Sequence, residues 1–136
     1  MIIGMGNDIL DVSRVRRELE ATDTVFRDRV FCRGEIQYCE GKRYPARHYA
    51  ARFAAKEALF KALGAGLGNG VPWQEVEVCQ DDQGKPELVL SGDTLRVAGQ
   101  RGMRSAFLSM AHTDDMAMAS VILEGDSISL ENEVRK

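Results

Sequence analysis

Asp8 and Glu57 are the two carboxylates in the least ordinary settings of this chain. Asp8 follows the apolar, glycine-containing run Met1-Ile-Ile-Gly-Met-Gly6, and Glu57 lies within Arg52-Phe-Ala-Ala-Lys-Glu-Ala-Leu-Phe-Lys-Ala-Leu-Gly64, a strongly helix-forming segment. At about 100° per residue, with Phe53 at zero, Phe60 falls at about −20°, Glu57 at about +40° and Lys61 at about +80°, so Glu57 projects beside two phenylalanines. A carboxylate half-desolvated by aromatic rings is costly unless something positive meets it, and Lys61 at i+4 meets only part of that demand. A metal ion or a cationic site would meet the rest; Asp8 and Glu57 together suit magnesium, which prefers hard oxygen ligands and commonly takes one or two carboxylates with waters and substrate phosphate oxygens. Residue types and positions also allow a plainer explanation, a capping Asp8 and a core ion pair between Glu57 and Lys61.

Lys42, Arg43, Arg47, Arg52, Lys56 and Lys61 concentrate positive charge in an acidic protein, and phosphate or pyrophosphate is a natural ligand for such a cluster. Half of them also suit a solvated helix face, Lys56 at about −60° among them. His112 ends an apolar segment at an expected hairpin turn, where an imidazole can point into a cleft, and Thr113 and Asp114 are ordinary turn formers. His48, near the start of the long helix, is assigned no role. The run Gly64-Ala-Gly-Leu-Gly-Asn-Gly70 lacks the spacing of phosphate-binding loops and follows a helix, where the dipole repels anions, so its first duty is to cap and reverse the chain. Arg14 and Arg17 share a face of the first helix and suit either an acidic partner helix or a solvated basic stripe.

The elements that must position these residues belong to one domain: 136 residues, 44% of them hydrophobic, suffice for a single core. Eighteen basic against 21 acidic residues give a net charge of −3, which supplies no field for nucleic acid, so any anion is bound locally. Cys32, Cys39 and Cys79 show no CxxC spacing and read as reduced thiols, and the absence of a basic leader, a membrane span or a lipidation motif predicts a soluble, cytoplasmic protein with no membrane partner.

The pattern predicts a strand over 2–6, which leaves Asp8 at its mouth, then a helix from Asp11 with Val12, Val15 and Leu19 on one side. Shorter helical pieces follow over 24–30 and 33–40, and a long helix over 46–63 is bounded by Pro45 and Gly64. Alternation gives a strand over 73–79 that pairs with 86–90 across the turn 81–85. A short helix over 92–101, with Leu95 and Ala98 inward, precedes a hairpin of 106–111 with 116–123, the last strand being apolar enough to be central. This is an α+β domain, a largely antiparallel sheet packed with helices, over 1–124, with a polar tail over 125–136.

Taken together, Gly4-Met-Gly-Asn-Asp8-Ile, Phe31-Cys-Arg-Gly-Glu35, the segment from Arg52 to Gly64, Gly84-Lys-Pro86 and Ser109-Met-Ala-His112-Thr resemble the holo-acyl carrier protein synthases, the short, single-domain phosphopantetheinyl transferases. The resemblance implies the 4′-phosphopantetheinyl transferase fold, a homotrimer with the coenzyme site between adjacent subunits, and transfer of phosphopantetheine from coenzyme A to a serine of apo acyl carrier protein in fatty acid biosynthesis. It puts Mg²⁺ on Asp8 and Glu57 and catalysis on Asp8, Glu57 and Lys61. It assigns coenzyme A contacts to Lys42, Arg52, Lys61, Gly64, Pro86, His112 and Thr113, and carrier protein contact to Arg14. The serine proton is left to Glu57, to a metal-associated water, preferred because a metal-bound carboxylate is a weak base, or to Glu35 by motif match. Ala111, Met116 and Cys32 depart from the usual family residues, and Ala111 offers no hydroxyl for a substrate contact. Two alternatives share these residues: a Mg²⁺-dependent hydrolase of the coenzyme A pyrophosphate, whose Nudix-type signature is absent, and a silent carrier-protein-binding module, which would be expected to lack one metal carboxylate.

Overall fold

β1 (Ile2–Asp11), β4 (Met103–His112) and β5 (Met116–Gly125) form an antiparallel sheet in the order β1-β5-β4. The computed structural model describes residues 1–64 and 70–126. β5 is central, as its apolar run predicts, and Ala117, Ala119, Val121 and Leu123 turn one of its faces into the core. Across that face lies α4 (Pro45–Leu63), which is buried on nearly every side. Its alanines keep the helix narrow, and Gly4 and Gly6 bring β1 onto it: a Cβ on either glycine would overlap the carbonyl oxygen of Ala62 or Ala58. The ends of α4 follow the expected chemistry. Pro45 occupies the first turn, where no N–H is needed, and Gly64 closes the helix at φ 64°, donating its N–H to Phe60 and Lys61 carbonyls at 3.1 Å.

α1 (Val12–Ala21), α2 (Val25–Val30) and α3 (Arg33–Glu40) precede α4; a 3-10 turn at Trp73–Glu75 leads into the hairpin of β2 (Val76–Gln80) and β3 (Pro86–Leu90), and α5 (Gly92–Gln100) returns the chain to β4. The antiparallel strands are thus divided between a three-stranded sheet and a separate hairpin. Among the described residues no helix is long and apolar enough to cross a membrane.

Several expectations are corrected. β1 runs to Asp11, so Asp8 lies inside a strand, opposite Ala119, and not at its mouth. Past the register shift between Ile2 and Gly4, the alternation continues through Asn7 and Asp8, with Gly4, Gly6, Asp8 and Leu10 on the more buried face. In α5 the inward residues are Thr94 and Ala98, while Leu95 is 50% exposed. The glycine-rich loop, apart from Gly64 and Gly70, and the tail beyond Asp126 lie outside the described residues.

The largest correction concerns Lys56 and Glu35. Lys56 is not on a solvated face, and Glu35 is no proton acceptor for a substrate: both side chains are 0% exposed and joined at 2.8 Å. Lys56 Nζ also donates to the carbonyls of Trp73 and Val76, while the Glu35 carboxylate accepts the backbone N–H groups of Cys32 and Val78, each at 2.8 Å. Every charge of the pair is met, and two segments far apart in sequence, residues 32–35 and 73–78, are tied to the middle of α4.

Candidate active site

Gly6 rests on Ala58, and two residues further along the same face of β1 comes Asp8, beside the turn of α4 that carries Glu57 and Lys61. Lys61 Nζ donates to Asp8 Oδ1 at 2.8 Å and to the Asn7 carbonyl at 3.2 Å. The lysine therefore pairs with Asp8, in place of the Glu57–Lys61 pair that residue spacing also allowed, and keeps 56% of its side chain exposed. Asp8 Oδ2 is buried with no hydrogen-bond partner. Glu57 is half-buried beside it, and burial first, then the neighbouring Asp8 carboxyl, pushes its pKa up to about 7, against the opposing charges of Lys61 and Arg14. Two carboxylates against one lysine, with one oxygen of Asp8 unpartnered, leave negative charge unmet. The donor set is all hard oxygen, so the residues fit a magnesium ion.

A second cluster lies on the other flank of α4. Arg52 is 3% exposed, its guanidinium 4.0 Å above the Tyr38 ring, with Nε buried and unpartnered. Lys42 Nζ stands 4.5 Å from the same ring. His48 packs edge-on between Tyr38 and His112, with centroids 5.8 and 5.0 Å away. Thr113 Oγ1 shapes the β4–β5 turn by accepting the N–H groups of Asp115 and Met116. Lys42, Arg52 and His112 thus gather around Tyr38 and His48, with Thr113 next in the chain. Pro86 opens β3 opposite Gln80, and Gly64 caps α4; neither is joined to this cluster by a described contact.

The two clusters are not brought together within one chain. Arg52 and His48 lie about 140–180° around α4 from Glu57 and Lys61, and β1 and β4 occupy opposite edges of the sheet. Sequence reasoning missed Tyr38, the ring on which both cations rest, and His48. The i, i+4 spacing of His48 and Arg52 was the available signal, since it places both on one helix face.

Arg14, exposed on α1, lines a groove of about 290 Å³ with Phe26, Phe53 and Trp73 on its walls and Arg29 at its rim. Phe53 is the hub of these rings, 5.6 Å from Phe26 and 5.0 Å from Trp73.

Residues 4–119 match the 4′-phosphopantetheinyl transferase superfamily. The holo-[acyl-carrier-protein] synthase of Geotalea daltonii is 46% identical over 124 residues, covering 91% of this chain and 99% of that protein, and that of Syntrophotalea carbinolica is 46% identical over 123 residues, covering 90% and 96%. Among solved structures, the holo-[acyl-carrier-protein] synthase of Neisseria meningitidis superposes with a TM-score of 0.82 at 31% identity, over 91% of this chain and 99% of that one. The Bacillus anthracis synthase, solved in complex with CoA (3′,5′-ADP), gives 0.74 at 34% identity over 93% and 99%. On its fold, its paired carboxylates and these similarities, the chain belongs to the holo-[acyl-carrier-protein] synthase family of the 4′-phosphopantetheinyl transferase superfamily.

Proposed function

We propose that this chain transfers the 4′-phosphopantetheine arm of coenzyme A to a serine hydroxyl of apo acyl carrier protein, releasing adenosine 3′,5′-bisphosphate, in the cytoplasm and in fatty acid biosynthesis. The observation that carries the proposal is the Asp8–Glu57 pair with its buried, unpartnered Oδ2, set beside a lysine in a chain similar over nine-tenths of its length to named synthases. The serine oxygen forms a bond to the β-phosphorus as the bridging P–O bond to the adenosine half breaks. Asp8 and Glu57 would hold magnesium, which when bound would supply charge neutralisation at the pyrophosphate. Lys61, on the same flank and largely exposed, meets the negative charge gathering on the leaving group. With Glu35 locked to Lys56, the serine proton goes to Glu57 or to water beside it.

The contacts to the rest of coenzyme A fall to Lys42, Arg52, His112 and Thr113, with Gly64 and Pro86 at the periphery, and Arg52 brings a buried guanidinium N–H in search of an acceptor. Because this cluster faces away from Asp8 and Glu57, one coenzyme A molecule reaches both only if two copies share it, which favours a closed oligomer, in line with the homotrimer that the family resemblance implies. The outer face of the sheet supports assembly: the register aligns Met5, Ile122 and Phe107 in one row and Ile9, Met118 and Ala111 in another, with Met5 67%, Ile9 62% and Phe107 51% exposed. Arg14 and the aromatic groove beside it suit an acidic helix of the carrier, with charge setting the encounter rate and the rings supplying apolar contact.

Intact-mass analysis of an apo carrier incubated with the protein, coenzyme A and Mg²⁺ tests this. One added phosphopantetheine supports transfer, whereas adenosine 3′,5′-bisphosphate appearing equally fast without a carrier would identify a pyrophosphate hydrolase.

A further inference from the structure

His48 and Arg47, in the first turn of α4, both grip the turn that joins β4 to β5. Arg47 Nη2 meets Asp114 Oδ1 at 3.0 Å while its guanidinium lies 4.1 Å above Tyr44. One residue on, the His48 ring is wedged between Tyr38 and His112 at interplanar angles of 70° and 69°. Its carbonyl accepts Arg52 Nη1 at 3.5 Å, so the backbone that holds the ring also touches the buried guanidinium. His112 itself is exposed at the end of β4, and His48 is the ring it packs against.

We propose that His48 is a positioning residue for coenzyme A: its ring, braced by Tyr38, fixes the orientation in which His112 meets a phosphate of the substrate. The proposal rests on the assignment of His112 as a coenzyme A contact. Charge is not what His48 contributes. Burial first, then the nearby His112, Arg52, Lys42 and Arg47, pushes its pKa down to about 4, so the ring is neutral at physiological pH. A neutral aromatic edge restricts the rotamers of His112 before the substrate arrives, and removing that restraint makes binding bear the cost of ordering the side chain. Losing one such restraint corresponds to about a 3- to 10-fold weaker affinity.

The test measures binding of adenosine 3′,5′-bisphosphate by calorimetry alongside KM and kcat for coenzyme A, on variants whose folding is checked by thermal unfolding. His48→Ala is expected to weaken binding and raise KM by about 3- to 10-fold with kcat at saturating coenzyme A within about twofold, and His48→Phe, which keeps a ring, is expected to restore both. In His48→Ala/His112→Ala the loss should match that of His112→Ala alone, since one residue acts through the other. Losses that add in the double variant, or a His48→Phe protein as weak as His48→Ala, would overturn the proposal. Wild-type binding by His48→Ala when His112→Ala is impaired refutes the positioning role alone. Wild-type binding by His112→Ala refutes the assignment of His112 as a contact, and the proposal with it.

Discussion

Replacing Lys56 with methionine keeps the length of the side chain and removes its charge from a site that is 0% exposed. The Glu35 carboxylate keeps the N–H groups of Cys32 and Val78 but loses its cation, and the carbonyls of Trp73 and Val76 lose their donor. Breaking one side of a buried pair costs about 3–5 kcal/mol, and two orphaned carbonyls push the figure toward the upper end. In urea, with a slope of about 2 kcal/mol per molar, the midpoint should fall by about 2 M at unchanged slope. The double variant Lys56→Met/Glu35→Gln removes the stranded charge and should recover about half of the loss, although it changes one more buried residue. A loss below about 1 kcal/mol for Lys56→Met would match a solvated lysine and refute the buried hub. So would a double variant less stable than the single one.

Gly6→Ala drives a methyl group into the Ala58 carbonyl, so urea unfolding should show a loss of about 1–3 kcal/mol and activity should fall further as Asp8 is displaced from Glu57; Gly99→Ala, with open space at its Cβ in α5, should instead gain about 0.5–1 kcal/mol. Glu57 titrates near 7 in the fold against an ordinary 4.5, so the folded state binds the extra proton between those values, and metal-free stability should fall as pH rises through that window. Glu57→Gln should flatten this fall in thermal scans with chelator present, and Mg²⁺ should offset it in the wild type. Arg14→Glu should raise KM for the carrier and leave KM for coenzyme A unchanged, with the difference shrinking in 0.5 M salt, where the Debye length is about 4 Å. Mixing Glu57→Gln chains with Lys42→Ala/His112→Ala chains under exchange should give more activity than the two separately summed, because one intact site can form between unlike copies; activity equal to the sum would contradict a shared site.

The ends of α4 were legible because proline, glycine and their backbone preferences act locally, and β5 was legible because Ala117, Ala119, Val121 and Leu123 must be apolar to enter the core while most of the residues between them are apolar too. The pairing of Asp8 with Glu57 was legible only in part: apolar neighbours marked each acid as unusual, but spacing alone equally allowed a capping Asp8 and a Glu57–Lys61 pair, and it was the family resemblance that joined the two acids. Lys56 was not legible. Its angle on the helix matched a solvated flank, and its acceptors on Glu35, Trp73 and Val76 arrive from segments that only the tertiary fold brings together. Leu95 misled for the opposite reason, since an amphipathic pattern in a nine-residue helix fixes the inward face poorly and Thr94, held by Glu75, takes the buried place. The clustering of Tyr38, His48 and His112 draws on α3, α4 and β4, and no local pattern links them.

The assignment of catalysis to the carboxylate pair is tested most directly by intact-mass analysis of an apo carrier after incubation with coenzyme A, Mg²⁺ and folded Glu57→Gln protein. Wild-type protein should add one phosphopantetheine to the carrier and Glu57→Gln none over the same time. Addition by Glu57→Gln at the wild-type rate would contradict the account.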